Sequence, residues 1–134
     1  MAKKKKKSKL WSKQSIYKKA DGTDVVMDSS WEHICAMKLD EAGIEWQRDP
    51  GMTLEYRTVR DRKRKYIPDF YLPDHDIYIE VKGYFTDAAR HKMKDVQLRN
   101  PVRILMLESM REVLDVGRHV QSFLSPDDTT PIDD

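Results

Sequence analysis

The apolar positions of the chain follow two periods. Across residues 29–43, Trp31, Ile34, Cys35, Leu39 and Ala42 recur at helical spacing. Ser29 and Glu32 stand at capping-box spacing at the start of this segment, and Gly43 supplies a stop. Across residues 77–82 the period is two, so Ile77, Ile79 and Val81 share one strand face while Tyr78, Glu80 and Lys82 share the other. The Pro73-Asp74-His75-Asp76 segment favours a chain reversal, which pairs this strand with residues 65–72 and brings Asp69 towards Glu80.

The remaining elements follow from the same cues. Residues 16–27 carry apolar pairs on either side of Asp21-Gly22, a hairpin or extended-arm pattern. Residues 44–47 and 52–58 are expected to be extended and to begin the sheet, separated by the turn signal Asp49-Pro50-Gly51. A second helix is expected from Thr86 or Asp87 to about Arg99, with Ala89, Met93 and Val96 inward and Asn100-Pro101 as its stop. Residues 102–107 form a nearly continuous apolar run, as in a buried strand. The helix between residues 77–82 and this run implies a parallel, right-handed crossover. A last helix is expected from Ser109 to about Leu124. The predicted fold class is α/β, with a mixed four- to five-stranded sheet flanked by helices in the order α-β-β-β-α-β, plus a C-terminal helix.

At 134 residues the chain suffices for one compact domain. The expected division is a basic disordered tail at 1–14, a single domain at 15–124 and an acidic disordered tail at 125–134. Charge sharpens this picture. Residues 1–20 hold nine lysines and no acid, which leaves 16 basic against 23 acidic residues elsewhere. A lysine-rich arm suits nonspecific phosphate contact through counterion release, although a solvated tail has the same composition. No apolar run approaches a bilayer span and no signal-peptide pattern opens the chain, so a cytoplasmic protein without membrane contact is expected. The lone Cys35 falls on a helical apolar stripe and reads as core filler. His33, His75, His91 and His119 are scattered with no cysteine pair, which argues against structural zinc.

The 65–83 segment carries the candidate chemistry. Asp69 and Glu80 offer hard oxygen ligands for Mg²⁺, and Lys82 on the Glu80 face supplies a cation beside it. Such a group suits phosphodiester hydrolysis, because Mg²⁺ polarises a phosphate and acidifies an attacking water. Taken singly, each of these residues also fits a solvated turn or edge strand. Their joint pattern of Pro-Asp, a turn, an alternating strand with Glu-x-Lys and then Gly favours the catalytic reading. Arg60, Arg62, Lys63, Arg64 and Lys65 precede the hairpin in what reads as a polar loop, placed to contact a nucleic-acid backbone without reading bases. Lys92 and Lys94, on the second helix, are further candidates for backbone contact. Ordinary surface lysines would look the same.

Pro68-Asp69 with Glu80-Val81-Lys82-Gly83 resembles the motif of the PD-(D/E)XK nuclease superfamily. Residues 66–73 followed by 77–83 are most similar to the phage endonuclease I family, which resolves Holliday junctions. The resemblance implies a restriction-endonuclease-like core and Mg²⁺-dependent DNA cleavage, with Mn²⁺ able to substitute. It also implies a homodimer acting on branched DNA, located in host cytoplasm if phage-encoded. Linear-duplex nucleases and a catalytically silent DNA-binding module are the alternatives. By the same resemblance Asp69 and Glu80 are metal ligands, the Val81 carbonyl completes the shell, Lys82 assists the reaction, and Glu32 matches a glutamate that a preceding helix adds to the site. Glu32 thus has two readings, as metal ligand and as a helix cap reaching back to the Ser29 N–H.

Overall fold

The structure, a computed structural model, describes residues 14–48, 53–82 and 85–124. The expected acidic tail, the expected basic tail apart from Gln14, the Asp49-Pro50-Gly51 turn and Gly83 lie outside these residues. In chain order the elements are β1 (Ser15–Lys18), β2 (Asp24–Met27), α1 (Ser30–Glu41), β3 (Leu54–Arg57), β4 (Lys63–Tyr66), β5 (Phe70–Leu72), β6 (Ile77–Val81), α2 (Asp87–Arg99), β7 (Ile104–Leu107), α3 (Met110–Leu114) and α4 (Val116–Leu124). The class is mixed α/β.

The central sheet runs β5-β6-β7, with β6 antiparallel to β5 and parallel to β7. The expected parallel crossover through α2 is therefore present. Among the described residues this sheet has three strands, where four or five were expected. β1-β2 and β3-β4 form separate two-stranded ladders, and four strands rather than three separate α1 from α2. Residues 44–47 form no strand and contribute only a bridge from Gln47 to Tyr71, held by N–H···O bonds of 2.8 and 2.9 Å.

All five residues of β6 are buried, because each face of the strand has its own cover. Ile77, Ile79 and Val81 face a core that includes Phe70, Leu72, Leu105 and Leu107 from the sheet, Cys35, Ala36 and Leu39 from α1, and Val113, Val116 and Val120 from α3 and α4. Tyr78 faces a second cluster with Leu54, Tyr66, Met93, Val96 and Ile104. The molecule thus has three layers: α1, α3 and α4; the central sheet; and α2 with the β3-β4 hairpin.

Helix α1 begins as its sequence requires, with Ser29 Oγ accepting from the Glu32 N–H at 3.2 Å. It ends at Gly43, whose φ of +72° permits the Ile44 N–H to return to the Leu39 carbonyl at 2.9 Å. The C-terminal helix expected in one piece is broken. Asp115 caps α3 with its N–H, and its carbonyl accepts from the Arg118 and His119 N–H groups to start α4. Val113, Val116 and Val120 are all fully buried across this break, which explains why the sequence reads as one helix.

The β3-β4 hairpin corrects another expectation. Lys63, Arg64 and Lys65 belong to β4, paired with Arg57, Tyr56 and Glu55, rather than to a loop. The turn is compact, with Thr58 Oγ1 accepting from the N–H groups of Arg60 and Arg62 at 3.2 and 3.1 Å. Helix α2 holds the hairpin by its backbone. Asp95 accepts from the Arg57 N–H at 2.6 Å, His91 Nε2 lies 2.9 Å from the Arg57 carbonyl, and Asn100 Nδ2 donates to the Glu55 carbonyl at 3.0 Å.

Candidate functional site

Asp69 and Glu80 come together at the end of the β5-β6 ladder. The turn after β5 closes with the Asp76 N–H on the Leu72 carbonyl at 2.8 Å, and Asp76 adopts the left-handed φ of +55° that short polar residues tolerate. Pairing of Phe70 with Ile79 then fixes the register. Asp69, one residue before β5, accepts the Val81 N–H through Oδ2 at 2.7 Å.

The carboxyl groups of Asp69 and Glu80 lie close enough to perturb each other's ionisation. Burial holds the Asp69 carboxyl well above the ordinary range, and the nearby Glu80 and Glu32 carboxylates push it further; the Val81 N–H and Arg48 oppose them. Glu80, 5% exposed, is raised chiefly by desolvation. Its charged form is supported by the Tyr66 hydroxyl and by Lys82 and Lys92. Lys82 Nζ stands 3.8 Å from Glu80 Oε2. Asp69, Glu80 and Lys82 therefore converge as their alternation requires.

Glu32 is placed differently. Its Oε1 accepts from the Asp28 N–H at 3.1 Å and from Arg48 Nη2 at 2.9 Å. The capping geometry is thus present, one residue earlier than the expected return to Ser29. Burial raises the Glu32 carboxyl, while Arg48 and the Asp28 N–H pull it down. Among the described residues no group of three or more His, Cys, Asp or Glu side chains is arranged to hold a metal ion. Asp69 and Glu80 stand as a pair, with Glu32 beside them and ion-paired.

Two residues of the site carry no motif in the sequence. Arg48 reaches from the loop after α1 to donate to the Asp69 carbonyl at 2.8 Å, to pair with Glu32 and to meet Asp28 at 3.3 Å, with its guanidinium 5.2 Å from the Phe70 ring. Tyr66 closes β4 and donates its hydroxyl to Glu80 Oε1 at 2.5 Å. Its own ionisation is strongly suppressed by burial and by the Glu80 charge, so it remains a donor. The aromatic that ends the basic run is a usable signal for Tyr66; Arg48 has none, being a lone cation in a loop.

The basic candidates divide. Arg60, Arg62, Lys63, Arg64 and Lys65 are exposed along the β3-β4 hairpin. Lys94 is exposed on α2, but Lys92 is half-buried, with Nζ 4.9 Å from the Tyr66 ring and 5.7 Å from the Tyr56 ring. Lys92 is thus part of the Glu80 surroundings, where an outer face was expected. No helix of the described residues is long and apolar enough to cross a membrane. Comparison with protein-family models, curated proteins and solved structures gave no match to this chain.

Proposed function

We propose that this chain is a Mg²⁺-dependent DNA endonuclease built on a restriction-endonuclease-like core, acting as a cytoplasmic homodimer on branched DNA of the Holliday-junction type. The observation that carries the reading is the Asp69–Glu80 pair: two neighbouring carboxyl groups in a partly buried site, each raised chiefly by desolvation, with the Lys82 ammonium on the same strand face as Glu80.

That pair suits a hard divalent cation. Forcing two carboxylates together is unfavourable without a positive charge between them, and a proton fills that role when no cation is bound. Mg²⁺ is commonly held by one or two carboxylates together with water and substrate phosphate, so a pair is a sufficient protein contribution. Asp69 and Glu80 would hold the ion, and the Val81 carbonyl, on the residue whose N–H Asp69 accepts, would complete the shell. When bound, Mg²⁺ supplies polarisation of the scissile phosphate and a lowered pKa for water, the chemistry of hydrolysis without a covalent enzyme intermediate. Lys82 offers charge to the phosphate oxygens or orients the water. The exposed cations of the β3-β4 hairpin supply sequence-independent backbone contacts.

The test is strand cleavage in Mg²⁺ on a four-way junction and on a linear duplex of the same arm sequence, with D69N and K82A in parallel. Paired nicks near the branch, absent in both variants and in chelator, are expected. Equal cutting of the linear duplex would replace the junction reading with a general or sequence-directed nuclease. Tight binding with no cutting of either would leave a DNA-binding module.

A further inference from the structure

We propose that Tyr66 is a positioning residue for Glu80: its hydroxyl fixes one carboxylate oxygen so that the other is presented on the Lys82 side to receive a divalent cation. The inference rests on the metal-dependent reading above.

The geometry is specific. A carboxylate on a three-torsion side chain has rotamer freedom that must be lost before it can act as a defined ligand. At Glu80 that freedom is removed from one side. Tyr66 donates to Oε1 at 2.5 Å, and Oε2 is the oxygen that lies 3.8 Å from Lys82 Nζ. The two oxygens are thus distinguished by their partners. Tyr66 is itself immobilised, 4% exposed and packed with Leu54, Tyr78, Met93 and Val96. Pairing with Leu54 in the β3-β4 ladder fixes its backbone, and α2 anchors that ladder through Asp95 and His91. Lys92 lies over the same ring, placing positive charge on its face. A hydroxyl held on a rigid strand and aimed at one oxygen of a proposed ligand is the usual form of an outer support for a metal site.

The experiment is Mn²⁺ binding to the full chain, followed by titration calorimetry and by the paramagnetic resonance of free Mn²⁺, for wild type, Y66F and E80Q. Phe keeps the ring, its packing and its contact with Lys92, and removes only the hydroxyl. The expected result is a loss of affinity of about tenfold or more in Y66F, which still unfolds in one cooperative transition, and near-complete loss in E80Q. Equal affinity in Y66F and wild type, with E80Q impaired, would overturn the inference and leave the metal site standing. Absence of binding by wild type would overturn the metal site and the inference together. A second measurement needs no variant: in wild type carrying [13Cζ]tyrosine, the Tyr66 resonance is expected to move on Mg²⁺ addition with the midpoint of binding. A Tyr66 resonance that stays fixed while Mg²⁺ binds would also overturn the inference.

Discussion

Arg48 Nη2 lies 2.9 Å from Glu32 Oε1, with the two side chains only 14% and 10% exposed. An ion pair so far removed from water is sensitive to loss of one partner, because the other is left charged and unsolvated. Arg48 also carries the Asp69 carbonyl. R48M is therefore expected to destabilise the protein by about 3 kcal/mol, measured by denaturant unfolding. E32Q, which keeps an oxygen for the Asp28 N–H, is expected to cost less.

The same pair bears on the ligand set. Because Arg48 already neutralises Glu32, E32Q is expected to change Mn²⁺ affinity much less than D69N does. A loss in E32Q as large as that in D69N would place Glu32 among the ligands and require its pair with Arg48 to open.

The Asp69–Glu80 pair makes a prediction for pH. Both carboxyls titrate above their ordinary values of 3.8 and 4.5 in the folded chain, chiefly through desolvation. The native state then binds more protons than the unfolded state between those ordinary values and the raised ones. The stability that these two groups contribute to the cation-free protein is therefore present at low pH and is lost as pH rises through the folded values. D69N should flatten this fall and raise the melting temperature at neutral pH by about 4 °C or more, as ~1 kcal/mol does in a domain of this size. Mg²⁺ should stabilise wild type most at the higher pH. A cation-free protein whose stability rises over this window would contradict the assignment.

For the hairpin, replacing Lys63, Arg64 and Lys65 by alanine is expected to weaken DNA binding to all sequences alike. Removing one phosphate-neutralising side chain should reduce the slope of log affinity against log salt by about 0.9. An unchanged slope would remove these residues from the interface.

Burial also fixes a purely structural expectation. Ile79, at the centre of β6, is fully buried among residues of the sheet and the α1, α3 and α4 layer. I79A is expected to cost about 2–5 kcal/mol by denaturant unfolding.

How much of this is legible in the sequence depends on the range of the interactions. The cap of α1, the period-two pattern of β6 and the turn at Asp76 are set within a few residues, and they alone bring Asp69, Glu80 and Lys82 together. The break at Asp115 is hidden because the buried valines keep nearly the same face on both sides of it. Lys63, Arg64 and Lys65 read as loop because strand periodicity is invisible when both faces of a hairpin strand carry charge and only Tyr66 turns inward. Arg48 and Lys92 lie beyond sequence reasoning. Their roles depend on where loop and helix cross the sheet, and no local pattern encodes that.

Glu80 and Val81 are adjacent on β6 and serve opposite layers, one the polar site and the other the apolar core. A slip of β6 by a single residue against β5 and β7 would turn a carboxylate into the packed layer of α1 and a valine towards Lys82. Misregistered chains would thus lose folding energy and the Asp69–Glu80 pairing in the same step, so whatever keeps the domain folded also keeps its two acids aligned.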